Sequence, residues 1–337
     1  MVKTSAARSL PALVTAGVVV LGLAACSGDS APSPSPSVSS SSASPTPTPT
    51  PTPVAVGLPR KPVIAVKIEN TVAAYPRVGH STADVIYVEP VEAGLTRMLA
   101  MFISTKPKKV GPIRSARETD VTLIRSYGDG IPFVFSGASA YTNGILAAGP
   151  QKNLPHGSVG GYWREPGRYA PHNLMADLTT LMSKAGKEVI AKDTGLHFGE
   201  APSGGKPVKS ATASWPSAKV SAAYSAASGG YTLTIDGKKE IDRATGKALS
   251  PKTIVVMNVL QKATGNRDVL GNVTPTEVLL GNGKATFLRD GKAWTGTWSR
   301  ASVDAQTVYN VGGDEFLAAP GQVWILLLPN GRPLTVK

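Results

Sequence analysis

Two arginines stand three residues apart in the stretch "KKVGPIRSAR", Lys108 to Arg117, directly before a helical pattern. Ser115 and Glu118 have the spacing of a capping box, which predicts a helix that begins directly after Ser115. Arg114 and Arg117 would then lie beside the free amides of the first turn, where the helix dipole disfavours each cation by up to about 1 kcal/mol. Free amides and guanidinium groups together bind phosphate, sulfate or carboxylate. The stretch therefore predicts an anion-binding site.

The same arginines could instead form ion pairs inside the protein. Charged and polar residues stand at the ends of predicted strands, where ligand crevices form in α/β sheets. They are Lys67, Glu69 and Asn70 in "VKIEN", and Glu89, Glu92 and Arg97 in "YVEPVEAGLTR". If these carboxylates saturate the arginines, the site is an internal charged network. If one arginine is left over, it is available to a ligand, and the sequence leaves both alternatives open.

A further helical pattern covers residues 173–189, with Asn173 as its first residue and His172 directly before it. Asn173 is predicted to cap that helix, which would place His172 beside its first amides as a contributor to a polar pocket. A histidine that only stabilises the turn is the alternative. The chain has four histidines and one cysteine, and no pair of histidines has the helical spacing of a metal site. We therefore expect neither a metal nor a cofactor.

The sequence indicates no catalytic residues. Ser115 has no histidine nearby in sequence and no G-x-S-x-G elbow around it. Glu89 and Glu92 could form a glycosidase-like carboxylate pair, but Arg97 would hold them ionised, which favours ion pairing over general-acid catalysis. Walker A and Rossmann fingerprints do not occur in the sequence.

Apolar patterning divides the chain into two predicted domains. Strand patterns at 63–68, 83–91, 96–103 and 131–137 alternate with helical patterns at 116–128, 141–149 and 173–189. They predict an α/β domain with a mixed sheet over residues 57–205. After a Gly/Ser/Pro-rich connection, Asp236-Gly237, Asn282-Gly283, Asp290-Gly291 and Asn330-Gly331 indicate hairpins. A smaller, mostly antiparallel β-rich domain is expected over residues 218–337.

The N-terminal residues predict a lipid anchor. Residues 1–26 combine Lys3 and Arg8 with an apolar run and end in "LAAC", which resembles the lipobox of a lipoprotein signal peptide. Lipidation of Cys26 would anchor the protein to the extracytoplasmic face of the cell membrane without spanning it. Residues 27–56 form a Ser/Pro/Thr-rich tether, predicted to be disordered and extended, of which the 27 residues from Ser27 to Pro53 reach at most about 80 Å.

The charge of the chain indicates the class of partner. Its formal net charge is +13, and the basic residues are scattered along the sequence. Because the chain is predicted to be exported, we do not expect nucleic acid as a partner. Anionic lipid head groups, anionic wall polymers or anionic small molecules suit the predicted location better. A basic surface without a specific partner is the alternative.

Three stretches resemble the YerB-like family of bacterial lipoproteins, known by its DUF3048 domains: "IAVKIENTVAAYPRVGH", "KKVGPIRSARETDVTLIRSYG" and "APHNLMADL". The run GP-x-RSAR and an upstream E-x-G-x-TR are its most specific features. The chain departs from the family pattern at Glu69, where aspartate is usual, and at Met175, where tyrosine is usual. Glu240 or Ile241 replaces a family histidine. The resemblance implies a lipid-anchored, extracytoplasmic protein of two domains and implies no established activity.

Three classes of function follow from these observations. The first is a cell-envelope protein that binds an anionic ligand through Arg97, Arg114 and Arg117. The second is an envelope transferase or hydrolase that acts on a phosphate-bearing substrate and uses the same arginines as electrostatic clamps. The third is a scaffold lipoprotein without a ligand, which would need an exposed apolar patch.

Overall fold

The near-continuous apolar runs of the sequence form the central strands. Every residue of the strands Ile64–Glu69, Val85–Pro90 and Val323–Pro329 is buried, as expected for a sheet that is covered on both faces. The computed structural model describes residues 55–268 and 270–337, which belong to one compact unit. Cys26 and residues 27–54 of the predicted tether lie outside the described residues. None of the described helices is long and apolar enough to cross a membrane.

Strands outnumber helices in the described residues. The helices are α1 (Glu118–Arg125), α2 (Ala140–Ala148) and α3 (Leu178–Ala185), with 3-10 turns at Val72–Ala74, His80–Thr82 and Glu92–Gly94. The strands of the first part are β1 (Ile64–Glu69), β2 (Val85–Pro90), β3 (Thr96–Phe102), β4 (Pro132–Phe135), β5 (Lys152–Pro155), β6 (Tyr162–Arg164) and β7 (Leu174–Ala176). The strands of the second part are β8 (Lys206–Pro207), β9 (Ser210–Ser214), β10 (Lys219–Ser225), β11 (Gly230–Ile235), β12 (Lys238–Lys239), β13 (Ile241–Asp242), β14 (Lys247–Ala248), β15 (Thr253–Arg267), β16 (Val273–Val278), β17 (Gly281–Arg289), β18 (Lys292–Arg300), β19 (Val308–Val311), β20 (Asp314–Glu315), β21 (Val323–Pro329) and β22 (Leu334–Val336).

One mixed sheet of 13 strands runs through both predicted domains. Its main order is β20-β19-β18-β17-β15-β21-β2-β3-β1-β4-β5, with β16 beside β15 and β8 beside β18. Strand β21 pairs in parallel with β2, with Val323 opposite Val85, so the sheet continues across the predicted domain boundary. The coarse fold class is thereby confirmed as a mixed sheet with few helices, followed by a β-rich second part.

The two faces of this sheet are covered by different elements. On one face, the apolar core includes residues of α3 and of the five-stranded sheet β12-β11-β10-β9-β22, such as Leu181 and Tyr231. On the other face, it includes residues of α1 and α2, such as Ile124 and Leu146. Residues 55–337 contain two large apolar clusters and belong to one compact unit, so this part of the chain is expected to fold on its own.

Two of the four predicted hairpins form and two do not. Asn330-Gly331 turns the chain but joins β21 to β22, which pairs with β9 and not with β21. Asp236 and Asp290 adopt the left-handed conformation that such turns require, with φ of 48° and 51°. Asn282-Gly283 instead lies inside β17, opposite Ser299 and Trp298. A Cβ atom at Gly283 would lie 2.5 Å from the Asn258 carbonyl oxygen, so this glycine permits close packing rather than a turn.

Candidate functional site

A cavity of about 620 Å³ opens beside the carboxyl ends of β2 and β4. The loop after β2, the start of β3, the N-terminal end of α2 and the tip of the β15–β16 hairpin all contribute to its lining. Five residues that the sequence nominated line this cavity together: Glu92, Arg97, Arg114, Ser115 and Arg117. The structure therefore brings the predicted arginines to one concave surface.

Helix α1 begins two residues later than the sequence analysis predicts. Its N-cap is Arg117, whose backbone N–H donates to the Asp120 carboxylate at 2.7 Å. Ser115 does not cap the helix, and its Oγ lies 3.4 Å from the Ser136 Oγ. The prediction failed because Asp120 and Glu118 are both acidic residues suited to the N3 position, and the sequence pattern alone does not choose between them.

Arg117 uses most of its N–H donors on internal partners. Its Nε and Nη2 donate to one Glu92 carboxylate oxygen at 3.1 Å and 2.5 Å, and its Nη1 donates to the Ala116 carbonyl at 2.7 Å. Thr274 donates to the other oxygen of Glu92 at 2.8 Å. Burial alone would raise the pKa of Glu92, but the Arg117 cation and these hydrogen bonds lower it. For Arg117, the internal-network interpretation is therefore the better description.

Arg114 is only partly satisfied. Its Nη1 lies 3.2 Å from a Glu69 carboxylate oxygen, yet this buried nitrogen has no hydrogen-bond partner with good geometry. Glu69 also accepts a hydrogen bond from Thr71 at 2.6 Å and lies 2.8 Å from the His172 Nδ1. Burial would raise the pKa of Glu69, but Arg114 and these hydrogen bonds lower it. Glu69 is thus shared among three groups and leaves Arg114 donor capacity.

Arg97 has no close carboxylate among the residues that the structure describes, taking 4.0 Å as the limit for an ion pair. Its one hydrogen bond there runs from Nη1 to the Ser115 carbonyl at 3.0 Å. Burial and the neighbouring cations of Arg117 and Arg114 lower the pKa of Arg97 to about 9. Arg97 is therefore a cavity-lining cation whose charge the local network does not neutralise.

Lys67 shows the opposite imbalance. This fully buried lysine contacts Glu89 and donates to Asp120 at 2.7 Å. Its burial lowers its pKa to about 8, although the Asp120 carboxylate opposes the shift. The charged cluster has four cations and four carboxylates, which are unevenly distributed. The cations are Lys67, Arg97, Arg114 and Arg117, and the carboxylates are Glu69, Glu89, Glu92 and Asp120. The surplus negative charge is buried around Lys67, and the surplus positive charge faces the cavity at Arg97.

The other nominated residues do not line this cavity: Lys67, Glu69, Asn70, Glu89, His172 and Asn173. Asn70 donates to the Thr96 hydroxyl at 2.7 Å. Asn173 accepts from Arg164 at 2.8 Å and donates to the Arg168 carbonyl at 3.0 Å, so its amide is used in the loop.

Asn173 does not cap a helix either. Leu174–Ala176 form the buried strand β7, and α3 starts only after it. Asp177 is the N-cap and accepts from the Thr179 and Thr180 amides at 2.9 Å and 3.2 Å. The prediction was wrong because the apolar residues of β7 continue the helical spacing of α3.

One side of the cavity, formed by the β15–β16 hairpin, was not predictable from the sequence. The β15–β16 hairpin contributes Asn266, Arg267, Asp268, Leu270, Asn272 and Thr274. These residues lie about 150 positions after Arg117, and neither a motif nor a local pattern connects the two stretches. The sequence did carry one signal, the Gly271-Asn272 turn that reverses the chain, but it does not reveal what the hairpin packs against.

Glu240 has a structural role in the described residues. It accepts from Arg77 at 2.6 Å and lies 2.8 Å from the His80 Nε2, and all three side chains are buried. Asp242, which follows two residues later, accepts from the Gly79 amide at 2.9 Å and from the Ser81 hydroxyl at 2.6 Å. These contacts join the β-rich part to the loop after β1.

Metal ligands do not cluster in the described part of the chain: residues 55–268 and 270–337 contain no group of three or more His, Cys, Asp or Glu side chains suited to a metal.

Comparisons with known proteins give the same two-part organisation. The family model described as "Protein of unknown function (DUF3048) N-terminal domain" matches residues 49–191, and the corresponding C-terminal domain model matches residues 211–325. The chain is 28% identical over 286 residues to "Putative lipoprotein YerB" of Bacillus subtilis (strain 168), covering 80% of this chain and 82% of that protein.

A solved structure shows the same fold. The crystal structure of the YerB protein from Bacillus subtilis aligns with a TM-score of 0.70 at 24% identity, covering 82% of this chain and 94% of that chain. The two family models together cover well over half of the sequence. This chain is therefore a member of the DUF3048 family.

Proposed function

We propose that this protein binds the anionic group of a cell-envelope ligand in the arginine-lined cavity, with Arg97 as the principal contact. The observation that carries the proposal is the unneutralised guanidinium of Arg97 at the cavity surface, which has only the Ser115 carbonyl as a partner among the described residues. Burial, followed by the repulsion of Arg117 and Arg114, lowers the pKa of Arg97, and an anion placed there would offset that repulsion.

Neighbouring groups support the same chemistry. Arg114 also lines the cavity, and 19% of its side chain is exposed although its Nη1 faces Glu69. Ser139, the N-cap of α2, lines the cavity together with Thr142, so the positive end of that helix is close to the arginines. Arg117 contributes positive charge, but Glu92 and the Ala116 carbonyl accept most of its N–H donors. Phosphate esters and carboxylates both fit this arrangement.

The predicted anchor gives this binding a location. Lipidation at Cys26 and the tether of residues 27–56 would hold the folded body at the extracytoplasmic face of the cell membrane. The similarity to a Bacillus subtilis protein named as a putative lipoprotein supports this location. Lipids, wall polymers and small metabolites that carry negative charge would all be within reach of the body there.

The carboxylates of the cavity support binding rather than acid–base catalysis. Glu92 is held by Arg117 and Thr274, and Asp268 accepts hydrogen bonds from Asn272 and the Leu270 amide. The pKa of each is lowered: for Glu92 against the effect of burial, and for Asp268 chiefly by Asn272. A general acid at neutral pH needs the opposite shift.

Thermal unfolding of the 55–337 body in the presence of inorganic phosphate tests the proposal. Phosphate should raise the melting temperature of the parent, because a ligand that binds only the folded state stabilises it. Arg97→Gln should abolish that rise. Arg125→Gln is the matched control, since Arg125 pairs with Asp304 on the exposed surface and does not line the cavity. A rise that persists in Arg97→Gln, or its absence in the parent with phosphate, sulfate and acetate alike, would contradict the proposal.

A further inference from the structure

Part of the cavity wall is apolar, and at Leu270 this part reaches solvent. Leu270, at the tip of the β15–β16 hairpin, lines the cavity and is 83% exposed. Val91, Ala93 and Leu95 of the β2–β3 connection also belong to the lining. The cavity therefore combines cations with an apolar wall that ends in an unusually exposed leucine.

The same hairpin carries further exposed apolar residues. Leu260 on β15 is 51% exposed, and Val273 on β16 is 38% exposed. Lys262 and Arg267 on β15 are exposed as well. Exposed apolar side chains interspersed with cations are typical of surfaces that meet lipid with an anionic head group. The exposed surface of the hairpin thus carries the same combination of apolar and cationic side chains as the cavity lining.

Several polar side chains that line the cavity form hydrogen bonds with one another. Asn272 donates to Asp268 at 3.0 Å, and Asn266 donates to Ser139 at 2.8 Å. Among the described residues that line the cavity, none is aromatic. A sugar would need free hydrogen-bonding groups or an aromatic face, so the lining favours an apolar chain over a glycan next to the anion.

We propose that the ligand of this cavity is a phosphate ester of an apolar chain. The phosphate would contact Arg97 and Arg114, and the chain would pass Leu95 and leave the cavity beside Leu270. This inference rests on the proposed function and adds the class of ligand to it. Such amphiphiles occur in the membrane to which Cys26 is predicted to anchor the protein.

Calorimetric titration of the 55–337 body with methyl phosphate, octyl phosphate and octanol, each below its micelle concentration, tests the inference. Each CH₂ group that becomes buried adds about fourfold in affinity. Octyl phosphate should therefore bind at least about tenfold more tightly than methyl phosphate even if only two CH₂ groups are buried. Octanol, which lacks the anion, should bind more weakly than octyl phosphate.

Variants separate the two parts of the ligand. Leu270→Ser should weaken octyl phosphate towards the affinity of methyl phosphate and leave methyl phosphate unchanged. Arg97→Gln should weaken both phosphates. Tyr169→Ser is the control, because Tyr169 is 90% exposed and does not line the cavity.

Each other outcome is decisive. Equal affinities for methyl and octyl phosphate would overturn the apolar-chain inference and leave the anion site standing. Binding of octyl phosphate that Leu270→Ser does not change would overturn the assigned path of the chain. If neither phosphate binds, or if octanol binds as tightly as octyl phosphate, the anion site is overturned as well.

Discussion

Glu69 and Arg97 stand directly opposite each other on the antiparallel strands β1 and β3, yet they do not form an ion pair. The Glu69 carboxylate is instead 3.2 Å from the Arg114 guanidinium and 2.8 Å from the His172 ring. Cross-strand neighbours of opposite charge normally stabilise each other. Here the loop after β3 delivers a competing arginine, and this competition leaves Arg97 to the cavity.

Arg97 and Arg117 should differ sharply in their contribution to stability. Arg117→Gln would leave the buried Glu92 carboxylate without its cation, which should lower the free energy of unfolding by about 3 kcal/mol or more. Arg97→Gln removes a repelled cation and one hydrogen bond to a carbonyl, so its effect should stay within about 1 kcal/mol. Urea denaturation of both variants measures the difference. Equal losses would show that Arg97 is a structural residue.

Glu69→Gln should strengthen anion binding while it weakens the fold. The substitution removes the negative charge that partly neutralises Arg114, so the cavity becomes more positive. We expect phosphate to bind several-fold more tightly, corresponding to roughly 1 kcal/mol. Calorimetric titration measures this affinity. Glu165→Gln serves as the comparison, because Glu165 is also buried but pairs with Lys109 and Arg243 and does not line the cavity. An equal gain in both variants would contradict the assigned role of Glu69.

The buried cluster of Glu240, Arg77 and His80 should be essential for folding of the body. Glu240→Ala would leave the Arg77 guanidinium, which is only 1% exposed, without its carboxylate. Breaking such a pair from one side costs about 3–5 kcal/mol. Urea denaturation should therefore show a large loss of stability. A loss below about 1 kcal/mol would mean that water or rearrangement satisfies Arg77 in the variant.

The sequence located the cavity better than it described the elements around it. Glu92, Arg97, Arg114 and Arg117 lie in two short stretches at the ends of strands, so local patterns were enough to nominate them together. Their pairing could not be predicted, because it depends on side-chain directions that only the folded chain fixes. The sequence allowed Glu89 to pair with an arginine, whereas the structure pairs it with Lys67.

Long-range strand pairing was also beyond the sequence. The mixed sheet was predicted from apolar runs, but the adjacency of β2 and β21 joins residues more than 200 positions apart. The helix α3 was extended too far because Leu174 and Met175 of β7 repeat its apolar spacing. Packing within the whole chain, rather than local preference, decides these features.

Glu277 predicts how stability depends on pH. This buried residue of β16 accepts from Thr119 of α1 at 2.7 Å and from Gln261 of β15 at 3.1 Å, with Lys67 and Asp120 nearby. Burial, which outweighs those hydrogen bonds, raises its pKa to about 7 from the ordinary value of 4.5. The folded state therefore holds a proton more tightly than the unfolded state between these two values. This contribution to stability should be complete below about pH 4.5 and fall as the pH rises to about 7, by on the order of 3 kcal/mol.

Glu277→Gln isolates this contribution, because a glutamine keeps a neutral group of the same size in place. Urea denaturation of parent and variant at about pH 5 and about pH 7.5 should show a stability loss in the parent that the variant lacks. The other buried carboxylates, whose pKa values are lowered, are common to both proteins and cancel in the comparison. The prediction fails if parent and variant lose the same free energy between the two pH values. In that case Glu277 would be ionised in the folded protein throughout this range, with the neighbouring Lys67 as a compensating cation.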